Sequence, residues 1–298
     1  MIKVSQLQFE YGKKRVYDEF SLTLDKPGVY GLFGRNGSGK STLLKILSGL
    51  LFPHGGQVEV LGYKPAARLP TFLEQVYVVP EEFHLPDISM AVLQKTHAPF
   101  YPRFSGSDFA QYADIFEIPR DKGFAAMSLG QKKKAVIAFA LATHTPLLLM
   151  DEPTNGLDIV GRSQFKTILG GNEHANRTVI ISTHQAHDLE SLMHHVLFVD
   201  GGKLALSASM QTLQHALQLG VADDQADTAG SIYQEAYGQQ WAYIARNTTG
   251  EPGAVNLELL YKALSINKQG VLDAVANYRQ PQSQLQSQPQ LQAAKDLQ

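Results

Sequence analysis

Gly34-Arg35-Asn36-Gly37-Ser38-Gly39-Lys40-Ser41-Thr42 is the stretch on which the reading of this chain turns. Ahead of it, Val29-Tyr30-Gly31-Leu32-Phe33 is an apolar run that reads as a buried strand. Behind it, Leu43, Leu44, Ile46 and Leu47 recur at helical spacing until Ser48-Gly49. A G-x-x-x-x-G-K-[ST] loop between a strand and a helix is a site for nucleotide phosphates. Without Cβ atoms at Gly34, Gly37 and Gly39, the loop N–H groups, including those of Asn36 and Ser38, can converge on phosphate oxygens. The helix beginning near Lys40 adds the unpaired N–H groups of its first turn, at Ser41 and Thr42, and its positive dipole end. Lys40 would reach the β- and γ-phosphates, and the Ser41 hydroxyl would ligate Mg²⁺.

The 298 residues allow one large domain, or one with a smaller companion. A hydrophobic content of 44% is sufficient for a sizeable core. The longest apolar stretch, residues 135–142, is too short to span a bilayer, and no charged-then-apolar leader opens the chain. The absence of cysteine excludes disulfides and thiolate metal sites and fits an interior compartment. A net charge of −2 argues against nucleic acid as a partner. The basic run Lys132-Lys133-Lys134 is read as a solvated helix face or a partner contact.

Residues 2–10 alternate like a half-buried strand, 11–14 form a turn, and 20–24 are the returning strand. Residues 57–60 add a short strand to that antiparallel layer, and 75–79 form another apolar run. Between 81 and 143 prolines punctuate helical segments, among them 109–116 and the long helix 129–143, as in a helical insertion. Strands at 146–150 and 178–182 then alternate with helices at 160–169 and 186–193, and a strand pair covers 196–199 and 203–206. Such alternation after a phosphate loop predicts an α/β fold with a mainly parallel sheet covered on both faces. Beyond residue 209 the spacing predicts a helix through Leu219, an acidic link over 221–230, a strand at 241–244 and a helix at 257–264. Residues 279–298 are Gln-, Pro- and Ser-rich and read as disordered. The division expected is 1–208 as the main unit, 209–278 as a C-terminal accessory region, and 279–298 as a tail.

Leu147-Leu148-Leu149-Met150-Asp151-Glu152 is a second nucleotide element. A buried strand ending in two carboxylates delivers them to the carboxyl edge of the sheet, where open α/β folds bind ligands. Asp151 would hold Mg²⁺, and Glu152 would orient and deprotonate the attacking water. Between these elements lies Met127-Ser128-Leu129-Gly130-Gln131, and after them Gly156-Leu157-Asp158 and Ser182-Thr183-His184. In that order the chain resembles an ATP-binding cassette (ABC) ATPase over residues 1 to about 210, with signature sequence, D-loop and switch histidine.

The resemblance implies a P-loop NTPase fold of the ABC type and a head-to-tail dimer with two ATP molecules in its interface. Each site would combine one subunit's phosphate loop with the other's signature, Ser128, Gly130 and Gln131, and with Asp158. Ser128 would cap the helix that follows and help form a second anion site. Tyr11 matches the aromatic that stacks on adenine, and His184 the residue that contacts the γ-phosphate. Two positions depart from the family pattern. Leu129 stands where glycine is usual, and Glu81, after Val78-Val79-Pro80, stands where glutamine is usual and could reach Mg²⁺ or its water.

Phe100-Tyr101-Pro102-Arg103-Phe104 and Leu257-Glu258-Leu259-Leu260 also resemble bacterial exporter ATPases whose permease is a separate polypeptide. That implies ATP hydrolysis coupled to transport, a membrane-spanning permease partner, a second ATPase subunit, and a cytoplasmic location on the inner face of the membrane. Phe83, Phe100, Tyr101 and Phe104 either face that permease or close the insertion's own core. The competing class is a soluble ABC ATPase on ribosomes or DNA. A single cassette without a coiled-coil insertion and a near-neutral charge oppose it.

Overall fold

The computed structural model describes residues 1–171, 174, 176–184 and 189–278. Strands β1 (Ile2–Tyr11), β2 (Lys14–Leu24), β3 (Gly28–Phe33) and helix α1 (Lys40–Leu47) open the chain. They are followed by β4 (Gly55–Val60), α2 (Pro70–Leu73), β5 (Val76–Val79), α3 (Met90–His97), α4 (Gly106–Ile115) and α5 (Leu129–Ala142). Next come β6 (Leu147–Asp151), α6 (Ile159–Leu169), β7 (Thr178–Ser182), β8 (His195–Asp200) and β9 (Lys203–Ser209). The last elements are α7 (Met210–Ala216), β10 (Leu217–Ala222), β11 (Tyr233–Tyr237), β12 (Gln240–Arg246), α8 (Leu257–Ile266) and α9 (Lys268–Asn277).

The central sheet has the order β5-β6-β7-β3-β8-β9 and is parallel except for the β8–β9 pair. Successive side chains of a strand point to opposite faces, and here they feed two separate cores. Tyr30, Leu32, Leu147, Leu149, Ile180 and Leu197 pack toward α1 and the antiparallel layer β2-β1-β4. Val29, Phe33, Leu148, Met150, Ile181 and Phe198 pack on the other side with α4, α5, α6 and α8. The carboxyl ends of β3, β6 and β7 therefore emerge along one edge, which is where the site lies. Among the described residues, no helix is long and apolar enough to cross a membrane.

Several expectations need correction. The helix from Met210 ends at Ala216, and Leu217–Ala222 is a strand paired with β12. Gly220 and Val221 are poor helix formers, and the Gly220 position is crossed by the Tyr243 ring, which a Cβ would meet at 2.5 Å. The polar strand β11 and helix α9 carry too little apolar pattern to be read in advance. The helix expected at 186–193 is a single 3₁₀ turn, Glu190–Leu192, in its described part, and 185–188 lie outside the described residues. The disorder expected for 279–298 also falls outside them. Of the insertion's aromatics only Phe100 is strongly exposed, at 69%. Tyr101 and Phe104 stack into the core against Tyr77 and Phe139, at 5.3 and 5.0 Å between ring centroids.

The β8–β9 pair also carries a pH dependence. Half-buried His195 meets the Ser207 hydroxyl at 3.0 Å and leans on the Tyr30 ring. Burial lowers its pKa from 6.5 to about 4. The unfolded chain thus binds the proton more readily, and stability present above pH 6.5 is lost as pH falls toward 4. Thermal melts between pH 7.5 and 4.5 should show a smaller acid decline for His195→Gln than for the wild type. Equal slopes would rule this histidine out as a contributor.

Candidate functional site

The phosphate loop starts where β3 runs out, its backbone turned by Gly37 (φ +79) and Gly39 (φ +106). A Cβ on Gly39 would sit 2.6 Å from the Tyr17 hydroxyl, so the residue is bound to glycine by both angle and space. Tyr17 in turn donates to the Gly39 carbonyl at 2.8 Å, fixing the loop from behind. Lys40 opens α1, with Nζ folded back on the carbonyls of Gly34 (2.9 Å) and Arg35 (3.4 Å). Burial lowers the Lys40 pKa, while Glu152, Asp151 and Glu81 oppose that shift. The Ser38 hydroxyl is buried without a partner.

Asp151 ends β6 directly opposite Ser182 of β7, whose hydroxyl donates to Asp151 Oδ1. At the next residue the backbone takes a left-handed turn, with Glu152 at φ +44. For a residue with a Cβ this conformation costs about 1–3 kcal/mol. It is held by the Glu152 N–H on the Ser182 carbonyl (3.0 Å) and by Lys133 Nζ on the Glu152 carbonyl (2.9 Å). The buried Glu152 carboxylate meets His184 Nδ1 at 2.8 Å through Oε1, while Oε2 has no hydrogen-bond partner. That free acceptor faces the requirement that a general base leave one oxygen for the proton it takes.

A cleft of about 330 Å³ gathers Tyr11, Asn36, Gly37, Gly39, Lys40, Ser41, Thr42, Glu81, Asp151, Glu152 and His184. Tyr11 is 48% exposed at its rim, edge-on to Phe9 and 3.5 Å from the Thr42 hydroxyl. Glu81 also lines the cleft, with Oε1 3.3 Å from Asn155 Nδ2. Gly34 contributes the carbonyl already described.

Ser128, Gly130, Gln131 and Asp158 lie outside this cleft. Ser128 Oγ accepts from the Gln131 N–H, and Gln131 Oε1 accepts from the Ser128 N–H, a reciprocal cap on α5. The Gln131 side-chain oxygen is therefore spent on the helix, whereas the Ser128 hydroxyl proton stays available to donate. Leu129 is 67% exposed beside it. Asp158 caps α6 through the Gly161 N–H at 2.7 Å and lies 3.9 Å from Lys134. Gly130 abuts the Gly156 carbonyl, 3.2 Å from where a Cβ would stand, so signature and D-loop form one surface.

Sequence reasoning missed Lys133. In place of a solvated face, the middle lysine of the basic run is 3% exposed. Val136 and Ile137, at i+3 and i+4, already mark its side of the helix as the inward one. Burial lowers its pKa, against the fields of Glu81, Glu152 and Asp151.

The fold and cleft define a P-loop nucleotide hydrolase. Residues 17–155 match the ABC transporter family. Bacitracin transport ATP-binding protein BcrA of Enterococcus faecalis is 30% identical over 218 residues, covering 72% of this chain and 70% of the relative. Nod factor export ATP-binding protein I of Cupriavidus metallidurans is 32% identical over 202 residues, 65% of this chain and 66% of that protein. Among solved structures, the dimeric post-hydrolysis state of the ATP-binding cassette MJ0796 with ADP and Pi is similar at a TM-score of 0.62. It is 21% identical, and the match covers 70% of this chain and 98% of that one. The chain belongs to the ABC transporter family, as an ATP-binding and ATP-hydrolysing subunit.

Proposed function

We propose that this subunit drives export through a separate membrane-spanning permease, pairing head-to-tail with a second ABC ATPase subunit on the inner face of the membrane. The observation that carries the reading is that two groups of candidate residues lie apart. Lys40, Ser41, Asp151, Glu152 and His184 share one cleft, while Ser128, Gly130 and Asp158 form another surface. A helix start that lies outside its own chain's cleft is placed to serve a neighbour's. Transport of bacitracin and export of Nod factor by the named relatives favour a transporter, and export among transporters. We assign residues 1–208 to the ATPase unit, with 81–143 as its helical insertion, and 209–278 to an accessory region.

In the proposed reaction, Tyr11 stacks on adenine, and Lys40 exchanges its loop carbonyls for the β- and γ-phosphates. The loop N–H groups and the α1 N-terminus balance the phosphate charge. Glu152 Oε2 takes a proton from water as its oxygen bonds to the γ-phosphorus and the bond to ADP breaks. His184 steadies Oε1 and faces the same phosphoryl group. Ser41, Asp151 and Glu81 would hold Mg²⁺. Among the described residues no group of three His, Cys, Asp or Glu side chains is arranged to hold a metal ion by itself, and a hydroxyl plus carboxylates on a phosphate cleft suits an ion that keeps water and phosphate ligands. When bound, Mg²⁺ would neutralise charge on the β- and γ-oxygens.

The half-site arrangement is tested at the signature by ATP-dependent dimerisation, read by sedimentation in a Glu152→Gln background. Ser128→Arg places a long side chain where phosphate must approach, and should abolish the dimer. Leu129→Gly should leave it unchanged or strengthen it, at a helix cost of up to about 1 kcal/mol. Normal dimerisation by Ser128→Arg would refute the two-subunit site. Pull-down from membranes tests the partner: a multi-span permease supports transport, and ribosomes or DNA in its place would overturn it.

A further inference from the structure

Helix α5 begins at the surface, where Ser128 caps it, and then turns one side inward. Lys133 sits there, about one and a half turns in. Its Nζ donates to the carbonyls of Glu152 at 2.9 Å and Glu81 at 3.3 Å. These acceptors lie on separate segments, one just past β6 and one just past β5, that meet at the phosphate cleft. An apolar side chain would pack the position beside Val136 and Ile137 without the cost of taking an ammonium group out of water. A lysine there is therefore better explained by what its donors hold than by packing. What they hold is the carbonyl of a residue with a left-handed backbone, so the contact bears on where the Glu152 carboxylate points.

We propose that Lys133 is a positioning residue that ties the signature helix to Glu152 and to the Glu81 segment. A shift of α5 on engaging the second subunit's nucleotide would thereby set the carboxylate of its own cleft. The proposal rests on the reading of Glu152 as general base, and names the connection through which one half-site adjusts the other.

The test uses the full chain with Lys133→Met, which keeps length and removes the donors, and Lys133→Arg, which keeps donors. ATP turnover by Lys133→Met should fall at least tenfold, with KM within about threefold of wild type and Tm within about 5 °C of it, since relief of a buried charge offsets the loss of a donor to two carbonyls. Lys133→Arg should recover a third or more of kcat. In single-turnover hydrolysis, adding Lys133→Met to Glu152→Gln should cost no more than a further twofold. Three results would each overturn the proposal. One is kcat within twofold of wild type for Lys133→Met. Another is a joint loss of kcat and Tm that Lys133→Arg does not recover. The third is a further tenfold loss in the Glu152→Gln background. Wild-type turnover by Glu152→Gln alone would instead remove the general-base reading, and so separates the two failures.

Discussion

Lys40→Ala is expected to bind ATP at least a hundredfold more weakly and to show no measurable ATPase activity while keeping the wild-type fold. The ammonium sits at the head of α1, 2.9 Å from the Gly34 carbonyl, and so within the space phosphate would take. A charge-assisted bond to phosphate contributes about 1.5–3 kcal/mol. Two such bonds, to the β- and γ-phosphates, would amount to roughly a hundredfold or more in Kd. Losing two contacts to loop carbonyls should matter less to stability, because the burial that lowers the Lys40 pKa is relieved at the same time. Equilibrium binding of a fluorescent ATP analogue and a thermal melt check both halves. Wild-type affinity in a folded variant would dismiss the phosphate-loop assignment.

Glu152→Gln is expected to bind ATP normally and to hydrolyse it about a hundredfold more slowly, or slower still. The amide keeps the size of the carboxylate and can still face His184 Nδ1, but has no lone pair basic enough to take the proton. With chemistry blocked after binding, the ATP-bound dimer should accumulate as a faster-sedimenting species. Unimpaired turnover would transfer the role of base to His184, the nearest titratable group on the same cleft.

Much of this site was legible in the sequence because its parts are local. A glycine that must take φ +106, a serine that caps the helix behind it and a carboxylate at a strand end each depend on a few neighbours. Their order along the chain carried the family resemblance. What could not be read depends on what lies across from a residue. Lys133 reads as solvated among three lysines in a row; Val136 and Ile137 mark its side as inward, but only the loops after β5 and β6 supply the acceptors for its ammonium. Tyr101 and Phe104 are surface or core according to whether Phe139 stands opposite, which no spacing reveals. Leu217 continues a helical pattern from Leu213, yet the partner strand β12 takes its backbone instead. The left-handed turn at Glu152 also had no sequence signal, since the residue is neither glycine nor asparagine.

The larger core has a bearing on how the protein is made. Phe33, the residue just before the phosphate loop, stacks on Phe198 at 5.2 Å, and Phe198 stacks on Tyr261 of α8 at 5.8 Å. The wall behind the loop is thus assembled from rings spread over about 230 residues, a separation that delays closure. At a synthesis rate of about 5–20 residues per second, the last ring leaves the ribosome some ten to fifty seconds after the first. Through that interval the nascent chain holds a complete phosphate-binding motif and an incomplete wall behind it, with the Tyr261-facing side of Phe198 left for water or a chaperone to cover. Translation must therefore pass well beyond the last nucleotide motif before the nucleotide site has its finished support.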